Sequence, residues 1–456
     1  MNVKLLQKYN KPGPRYTSYP PATFFHDGIN VESYQDMLVQ SNHQQPENIS
    51  LYIHIPFCRQ LCYFCGCNTT CYPGDELVSR YIDALIKEIH SVSGLLDTDR
   101  PLTQIHWGGG TPNSIDLSFV EKVMKELLSI YKPVAKAEIA MECNPAYLEP
   151  EHIDQLAAMG FNRLSLGIQD FNEEVLKLVN RRPSKYPVEE LIARMKANKM
   201  DGVNIDLIYG LPGQTPASFQ NTIEKAIAIS PDRLVTFSYA HVPWVKSAQM
   251  KLEEIGLPAP EEKLAMFETA YNLLTQNGYE AIGMDHYAKP GDELSVALKN
   301  KKLHRNFQGY CTQETTGQVY GFGATSISQL QGGYYQNIKS HKKYIEAIEQ
   351  NGFATEKGYE LTREDEIRRT VINQIMCNGF LDFDALAKEL DTGVAQLKTI
   401  TGYNPEKLKP FADDGLLQID GNCIQLLQNG FLVVRNIAME FDSLLSQGKG
   451  QYSKTV

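Results

Sequence analysis

Short apolar segments alternate with amphipathic segments between residues 49 and 240. We predict six strands, at residues 49–55, 103–107, 137–142, 163–167, 204–209 and 233–240. We predict five helices between them, at residues 77–92, 117–131, 151–159, 188–198 and 216–229. Strand–helix alternation of this kind predicts parallel βα units, and such sheets place their ligand site at the carboxyl ends of the strands.

Chemically distinctive residues follow each predicted strand. A cysteine-rich loop follows the first strand. The later strands lead into GGGTP at 108–112, ECNP at 142–145, GIQDF at 167–171, GLPG at 210–213 and YAHVP at 239–243. Because the carboxyl ends of parallel strands lie at the same edge of a sheet, we expect these residues to form a single large active site.

The cysteine-rich loop reads CRQLCYFCGC at residues 58–67, in which Cys58, Cys62 and Cys65 form a CxxxCxxC pattern. Four-iron clusters normally take four cysteine ligands, so three thiolates leave one iron open to a small molecule. The alternative is a zinc knuckle with Cys67 or Cys71 as its fourth ligand. Zinc sites usually pair one CxxC with a second, and the spacing here lacks that second pair.

Composition bounds the class of protein. The 456 residues allow two or three domains, and the net charge of −10 argues against a nucleic-acid partner. No apolar run is long enough to span a membrane, and the start, MNVKLLQKYNKPG, lacks the apolar core of a signal peptide. We therefore expect a cytoplasmic protein that does not use a membrane.

The two ends of the chain differ from the centre. The first 45 residues are rich in Pro and Tyr, and their composition favours a tethered surface extension, with no regular helix around GPRYTSYP at 13–20. A helix is expected at 261–277, followed by loop-rich sequence. Beyond residue 360 we predict a small domain with a hairpin at 420–422 and helices at 363–377, 382–389, 405–413 and 430–445. The predicted domains are 1–45, 46–355 and 356–456.

Taken together, the motifs resemble those of the oxygen-independent coproporphyrinogen III oxidases (coproporphyrinogen dehydrogenases), which are radical S-adenosylmethionine (SAM) enzymes of haem synthesis. The resemblance runs over nearly the whole chain. It rests on GPRYTSYP, LYIHIPFCRQLCYFCGC, HWGGGTP, GFNRLSLGIQDF, NIDLIYGLPGQTP, GMDHYA and LHRNFQGY. The fold it implies is α/β, an incomplete (β/α)6 TIM-like radical SAM barrel with an N-terminal arm over its mouth and a mostly helical C-terminal domain.

The resemblance also implies the cofactor site. Cys58, Cys62 and Cys65 would ligate a [4Fe–4S] cluster, and Cys67 matches an extra family cysteine that is not a ligand. The family holds two SAM molecules. The positions that match the first SAM site are Tyr52, Gly109, Glu142 and Ile327. The positions that match the second are Phe64, Gly110, Thr111, Gln169, Arg181, Asp206 and Ala240.

The implied reaction begins with electron transfer from the cluster to SAM, which yields methionine and a 5′-deoxyadenosyl radical. The radical takes a hydrogen from a propionate side chain of coproporphyrinogen III, and loss of CO2 and one electron leaves a vinyl group. Two rounds give protoporphyrinogen IX. The implied partners are an external one-electron reductant of flavodoxin or ferredoxin type and an electron acceptor that the sequence does not identify, and we expect a monomer.

Basic residues must meet the four carboxylates of this substrate. The candidates are Arg15, Arg182, His304 and Arg305, with His241 and His286 as weaker ones. We hypothesise that Arg15 and Tyr16 line the substrate cavity. The candidate catalytic residues are Cys67, Arg15, Tyr16 and Arg305.

Two other functions are compatible with much of this motif set. One is a haem-binding chaperone of the same fold, although such relatives usually lack the GPRYTSYP arm and the fourth cysteine of the CxC extension. The other is a different radical SAM reaction on a tetrapyrrole. This chain has both diagnostic features, which favours the oxidase.

Overall fold

A computed structural model describes residues 3–447 and 452–453 of the chain. The chain forms two compact units. The barrel unit comprises His26–Asn277 and Glu314–Glu360, and the second unit comprises Met1–Phe25, Gly278–Gln313 and Leu361–Val456. These units divide the chain differently from the predicted segments, because residues 26–45 belong to the barrel unit and residues 278–313 to the second.

The six predicted strands form the parallel part of the sheet in the barrel unit. They are β1 (Ile49–Ile55), β2 (Leu102–Gly109), β3 (Pro133–Cys143), β4 (Arg163–Gln169), β5 (Asn204–Tyr209) and β6 (Arg233–Ser238). Each pairs in parallel with the next along the chain. In β4 and β5 every second residue is buried, which is the alternation expected of a strand with one covered face. The predicted incomplete (β/α)6 arrangement is confirmed.

Six helices of the barrel unit begin and end within two residues of the predicted positions, and four others, Val31–Ser41, Glu173–Leu178, Met250–Ile255 and His341–Asn351, were not predicted. Their bounds are Val31–Ser41, Asp75–Ser93, Leu117–Ile130, Pro150–Ala158, Glu173–Leu178, Val188–Ala197, Pro216–Ile229, Met250–Ile255, Pro260–Gln276 and His341–Asn351. Short polar residues set several of the starts. Asp116 accepts a hydrogen bond from the Ser118 amide, and Thr215 and Ser218 form a reciprocal capping box before Pro216.

Four strands of the barrel unit lie where the sequence predicted loops. Gln318–Phe322 pairs in parallel with β1, and Ile327–Leu330, Gly333–Asn337 and Thr355–Glu360 extend the sheet as an antiparallel meander. The expectation of loop-rich sequence was wrong here. These strands are four to six residues long and three of them contain glycine, so neither length nor alternation marks them clearly in sequence.

The second unit combines helices with short antiparallel strands. Its helices are Val3–Tyr9, Glu293–Lys299, Arg363–Asn378, Phe383–Glu389, Val394–Ile400, Pro405–Asp413 and Val434–Met439. Its strands are Glu280–Ile282, His286–Ala288, Leu303–Asn306, Gly309–Thr312, Phe380–Asp382, Leu417–Asp420 and Cys423–Leu426. The hairpin predicted at 420–422 is confirmed. The single helix predicted at 430–445 is wrong, because a 3-10 turn at Gln428–Val433 leads into a helix that ends at Met439.

The GPRYTSYP segment is part of the core of the second unit, so its interpretation as a surface extension was wrong. Tyr16 is 2% exposed and Tyr19 is 1% exposed. The Tyr16 hydroxyl donates to Asp442 at 2.9 Å, and Arg435 donates to the carbonyl of Pro14 at 3.0 Å. No regular helix forms around the two prolines, as predicted. No helix among residues 3–447 is both long and apolar enough to cross a membrane.

A buried carboxyl group holds the turn at Gly323 in the barrel unit. Glu88 accepts hydrogen bonds from the Gly323 amide at 2.8 Å and from the Tyr344 hydroxyl at 2.6 Å. Burial raises the pKa of Glu88 to about 7, against the opposing effect of these hydrogen bonds. The carboxyl group therefore retains its proton in the folded chain at pH values where the unfolded chain releases it.

We expect this carboxyl group to make the barrel unit less stable as the pH rises from about 4.5 to 7. The raised pKa stabilises the fold fully below the ordinary value of 4.5, and that contribution, about 3 kcal/mol, is lost as the pH rises through about 7. Glu88→Gln should flatten the pH dependence, measured as the urea midpoint at several pH values. The exposed Glu121→Gln is the control. An unchanged slope in Glu88→Gln would contradict this assignment.

Candidate active site

The cysteine loop is closed at its base by backbone pairing just after β1. Phe57–Cys58 pairs in parallel with Thr70–Cys71. The Thr70 amide donates to the Pro56 carbonyl at 2.8 Å, and the Tyr72 amide donates to the Cys58 carbonyl at 2.9 Å. The thiols therefore project from a loop whose two ends are fixed beside the carboxyl end of the first barrel strand.

The tip of the loop is held by residues from two other segments of the barrel unit. The Asn180 side-chain amide donates to the Leu61 carbonyl at 2.8 Å, and the Tyr63 amide donates to the Val179 carbonyl at 3.0 Å. On the other side, Gln249 donates to the Phe64 carbonyl at 3.0 Å. These contacts order the loop backbone around the three predicted ligands.

All the predicted iron ligands are free thiols, with Cys58 buried and Cys62 and Cys65 half-buried. A guanidinium nitrogen of Arg181 lies 3.6 Å from the Cys62 sulfur, and the Thr111 hydroxyl lies 3.3 Å from the Cys58 sulfur. Burial raises the pKa of Cys58 to about 11 and also raises that of Cys62, while Arg181 lowers both. Because thiolates are the metal-binding form, a cation beside them supports ligation.

The donor set suits an iron–sulfur cluster. The three predicted ligands, Cys58, Cys62 and Cys65, line the same cavity and form no disulfide. In the described part of the chain, no three His, Cys, Asp or Glu side chains surround a point where a single metal ion could bind. A four-iron cluster is a larger group that takes one thiolate at each corner, so its ligands need not converge on one point.

The glycine triplet packs directly against the start of the cysteine loop. A Cβ atom on Gly109 would lie 2.8 Å from the Ile55 carbonyl oxygen, and one on Gly110 would lie 2.8 Å from the Pro56 carbonyl. Gly109 also has φ +120°, a conformation that favours glycine. The triplet is therefore required for β2 and the cysteine loop to approach this closely.

A cavity of about 180 Å³ lies among the cysteine loop and the strand ends. The predicted site residues that line it are Cys58, Cys62, Phe64, Cys65, Cys67, Gly109, Gly110, Thr111, Glu142, Gln169, Arg181 and Asp206. Another cavity, of about 980 Å³, lies beside Arg59, Met124 and Arg182, and no cysteine lines it.

Three predicted cofactor residues, Tyr52, Ala240 and Ile327, do not line the smaller cavity. Their neighbours connect them to it or to each other. The Tyr52 ring stacks on His106, and His106 lies 3.2 Å from Glu142. Tyr52 pairs in register with Gly321, where an added Cβ would meet the Ile327 backbone at 2.9 Å. The Ala240 carbonyl accepts from Gln249, which also donates to the Phe64 carbonyl.

Several side chains that brace the site were missed from the sequence. Ser165 donates to the Asp206 carboxylate at 2.8 Å from the neighbouring strand β4, and Asn204 donates to it at 2.8 Å from the same strand, β5. Ser165 and Gln169 share one face of β4, as Asn204 and Asp206 share one face of β5, so the two-residue period of a strand could have identified them. The register shift between Gly167 and Gln169, with φ +70° at Gln169, is a bulge of the kind that redirects side chains near sites.

The second unit contains three of the predicted catalytic residues. Arg15 lies 3.2 Å from Asp285, and Tyr16 donates to Asp442. The Arg305 guanidinium lies over the Tyr310 ring, 4.5 Å from its centroid. The catalytic roles of Arg15, Tyr16, Arg305 and Cys67 stay predictions.

Each of the other predicted basic residues is buried or contacts another side chain of the protein. Arg182, in the barrel unit, donates to Gln60 at 3.0 Å. Burial lowers the pKa of His304 to about 4, so this imidazole is neutral at pH 7. His286 and His241 lie 2.7 Å and 2.6 Å from Asp285 and Glu253, respectively. None of these contacts by itself marks a substrate site.

Comparison with known families divides the chain into two matched regions. The sequence model of the Radical SAM superfamily matches residues 52–226, and that of the HemN C-terminal domain matches residues 361–433. The first region contains the cysteine loop, the glycine triplet, Arg181 and Asp206.

Curated relatives match over the full length. The chain is 43% identical to the oxygen-independent coproporphyrinogen III oxidase of Escherichia coli K12, covering 98% of this chain and 96% of that protein. It is 41% identical to the protein of the same name from Synechocystis, covering 99% and 96%. The corresponding Helicobacter pylori J99 protein is 39% identical, with 100% and 99% covered.

A solved structure, described as coproporphyrinogen III oxidase (HemN) from Escherichia coli and as a radical SAM enzyme, superposes with a TM-score of 0.90 at 40% identity. The match covers 97% of this chain and 99% of that one. Since both the fold and the full-length identity agree, this chain belongs to the family of oxygen-independent coproporphyrinogen III oxidases.

Proposed function

We propose that this protein converts two propionate side chains of coproporphyrinogen III to vinyl groups, giving protoporphyrinogen IX in haem synthesis without oxygen. The observation that carries this proposal is the placement of three free thiols beside β1, next to Arg181 and the glycine triplet, in a chain that matches the named oxidases along its whole length. The thiols provide the metal donors, and the strand ends provide the polar groups that a charged cofactor needs.

In this proposal Cys58, Cys62 and Cys65 hold a [4Fe–4S] cluster whose remaining iron takes SAM. When bound, the cluster and SAM would supply radical chemistry: one-electron cleavage of SAM provides the species that takes a hydrogen atom from the propionate. Arg181 favours the thiolate form of Cys62 through its positive charge, while the packed glycine triplet limits the space beside Cys58. In this proposal the protein thereby positions the cofactors.

The proposal includes two SAM molecules. It is supported by the strand residues, because those that match the first SAM site and those that match the second lie on different strands. Tyr52, Gly109 and Glu142 lie on β1, β2 and β3, and Ile327 starts the strand two places from β1 in the sheet. The second set, described above, includes Gln169 and Asp206 on β4 and β5. Carboxylates such as Glu142 and Asp206 accept charge-assisted hydrogen bonds from an ammonium group or hydrogen bonds from ribose hydroxyls.

The reaction also sets its partners. One electron enters for each SAM that is cleaved, and one leaves with each decarboxylation, so the proposal requires a flavodoxin- or ferredoxin-type reductant and a separate electron acceptor. We further propose that the protein acts as a monomer in the cytoplasm. All nine cysteines are free thiols, which is typical of a reducing compartment.

We expect anaerobically reconstituted protein to form protoporphyrinogen IX together with 5′-deoxyadenosine and methionine when it receives coproporphyrinogen III, SAM, reductant and acceptor. Cys62→Ser should lose the brown cluster and at least about 100-fold of the activity, because one of three ligands is removed. Iron analysis and chromatography of the tetrapyrroles provide the measurements.

Cys423→Ser, in the hairpin of the second unit, is the control and should keep its iron and activity. SAM cleavage without a vinyl product would overturn the substrate assignment and point to another tetrapyrrole. Tight haem binding without SAM cleavage would favour the chaperone function.

We expect Asp206→Asn to weaken SAM binding by about 10- to 100-fold while iron content stays unchanged, because a charged acceptor becomes neutral. Equilibrium dialysis with labelled SAM on the reconstituted protein measures the change. Asp201→Asn, an exposed carboxylate before β5, is the matched control. Unchanged SAM affinity in Asp206→Asn would show that this carboxylate only braces β4 and β5.

A further inference from the structure

Arg15 forms an ion pair with Asp285, and Arg305 and Arg435, from two other segments of the second unit, interact electrostatically with that carboxylate. Arg15 lies 3.2 Å from the Asp285 carboxylate. Arg435 donates to the backbone carbonyls of Gly13 and Pro14, immediately before Arg15 in the chain. The positive charges of Arg15 and Arg305 lower the pKa of Arg435, and those of Arg305 and Arg15 also lower the pKa of Asp285. We call Arg15, Arg305 and Arg435 the arginine cluster.

The arginine cluster is buried on one side and open on the other. Arg305 is 4% exposed and Arg435 is 6% exposed, whereas the Arg15 side chain is 39% exposed. Burial, followed by the positive charges of Arg15 and Arg305, lowers the pKa of Arg435 to about 9. An anion could reach the cluster from the side of Arg15 and would then contact groups that water reaches poorly.

Positive charge exceeds negative charge at this point. Asp285 accepts from His286 as well as from Arg15. Burial would raise the pKa of Asp285, but His286, Arg305 and Arg15 outweigh it and hold the carboxyl ionised. Asp442, a half-buried acid that contacts the GPRYTSYP segment, accepts from the Tyr16 hydroxyl and the Leu444 amide.

Arg305 provides an independent indication of a missing anion. Its Nε and Nη1 atoms are buried and have no hydrogen-bond partner among the described residues. Its guanidinium plane lies against the Tyr310 ring, which limits its movement. A buried guanidinium with two unused donors is costly unless an acceptor joins it, and a carboxylate matches this planar pair of donors.

The sequence motifs agree with this placement. Arg15 lies in GPRYTSYP, Asp285 in GMDHYA and Arg305 in LHRNFQGY, three motifs that contribute no residue to the cysteine-lined cavity. Arg435 was not predicted from the sequence. Three distant motifs that do not line the cysteine-lined cavity thus each contribute a charged residue to the arginine cluster or to Asp285, which Arg15 contacts.

We propose that the arginine cluster binds one propionate carboxylate of the tetrapyrrole substrate. The identity of the ligand rests on the proposed function, whereas the carboxylate chemistry rests on the cluster itself. Arg305 contributes two buried donors, Arg435 contributes positive charge, and Arg15, held by Asp285, contacts the carboxylate from the exposed side. In this way a protein with a net charge of −10 binds an anionic substrate through a local group of positive charges.

The test uses the full-length, reconstituted protein and coproporphyrin III, the stable oxidised form of the substrate, with its tetramethyl ester for comparison. Arg305→Met and Arg15→Met should each weaken coproporphyrin III binding by about 10- to 100-fold in fluorescence titrations, because one charged contact is lost. Binding of the uncharged ester should not change. Lys409→Gln removes an exposed charge from the same unit and is the control.

Thermal unfolding separates binding from folding. If Arg305→Met and Arg15→Met keep wild-type affinity for coproporphyrin III, with or without a lower Tm, the cluster is only structural and the inference is overturned. Equal loss of affinity for the ester would also overturn it. Turnover of coproporphyrinogen III by wild-type protein, measured in parallel, tests the proposed function separately, since the cluster could bind porphyrin carboxylates even if no vinyl product formed.

Discussion

Parallel backbone pairing of β1 to β6 is the constraint on which the candidate active site depends. It places residues that are far apart in sequence at one edge of the sheet, so that Ser165 and Asp206, 41 residues apart, are in hydrogen-bond contact. The same edge carries the cysteine loop after β1 and the glycine triplet at the end of β2. A change that shifted one strand by a residue would turn these side chains to the other face.

Two forms of close packing build on that pairing. Glycine backbone packs against the start of the cysteine loop, where side chains would collide with Ile55 and Pro56. Polar side chains then hold the loop tip through backbone carbonyls, as Asn180 and Gln249 do. Together these contacts fix the backbone that carries the three thiols and keep Cys62 beside Arg181.

The barrel unit was largely predictable because its strands and helices have strong local patterns. β1 and β5 begin and end at the predicted residues, and so does the helix Pro216–Ile229, whose capping box and proline are visible in the sequence. The strands between residues 318 and 360 were missed because they are short and most of them contain glycine. Such segments become strands only when a neighbouring strand supplies hydrogen bonds. The helix expected at 430–445 was wrong for a related reason, since apolar periodicity does not show where tertiary contacts interrupt a helix.

The sequence by itself determined the chemistry that this protein can carry. The CxxxCxxC spacing, the glycine triplet and the strand–helix alternation are local features whose meaning follows from ligand number, backbone freedom and periodicity. Only the tertiary structure decided which charged residues meet. Arg15 and Arg435 are separated by most of the chain, yet Arg15 pairs with Asp285 while Arg435 contacts the backbone just before Arg15, because the GPRYTSYP segment is buried in the second unit. Spacing along a sequence carries no information about such contacts, since long-range electrostatic neighbours are set by how separate segments pack.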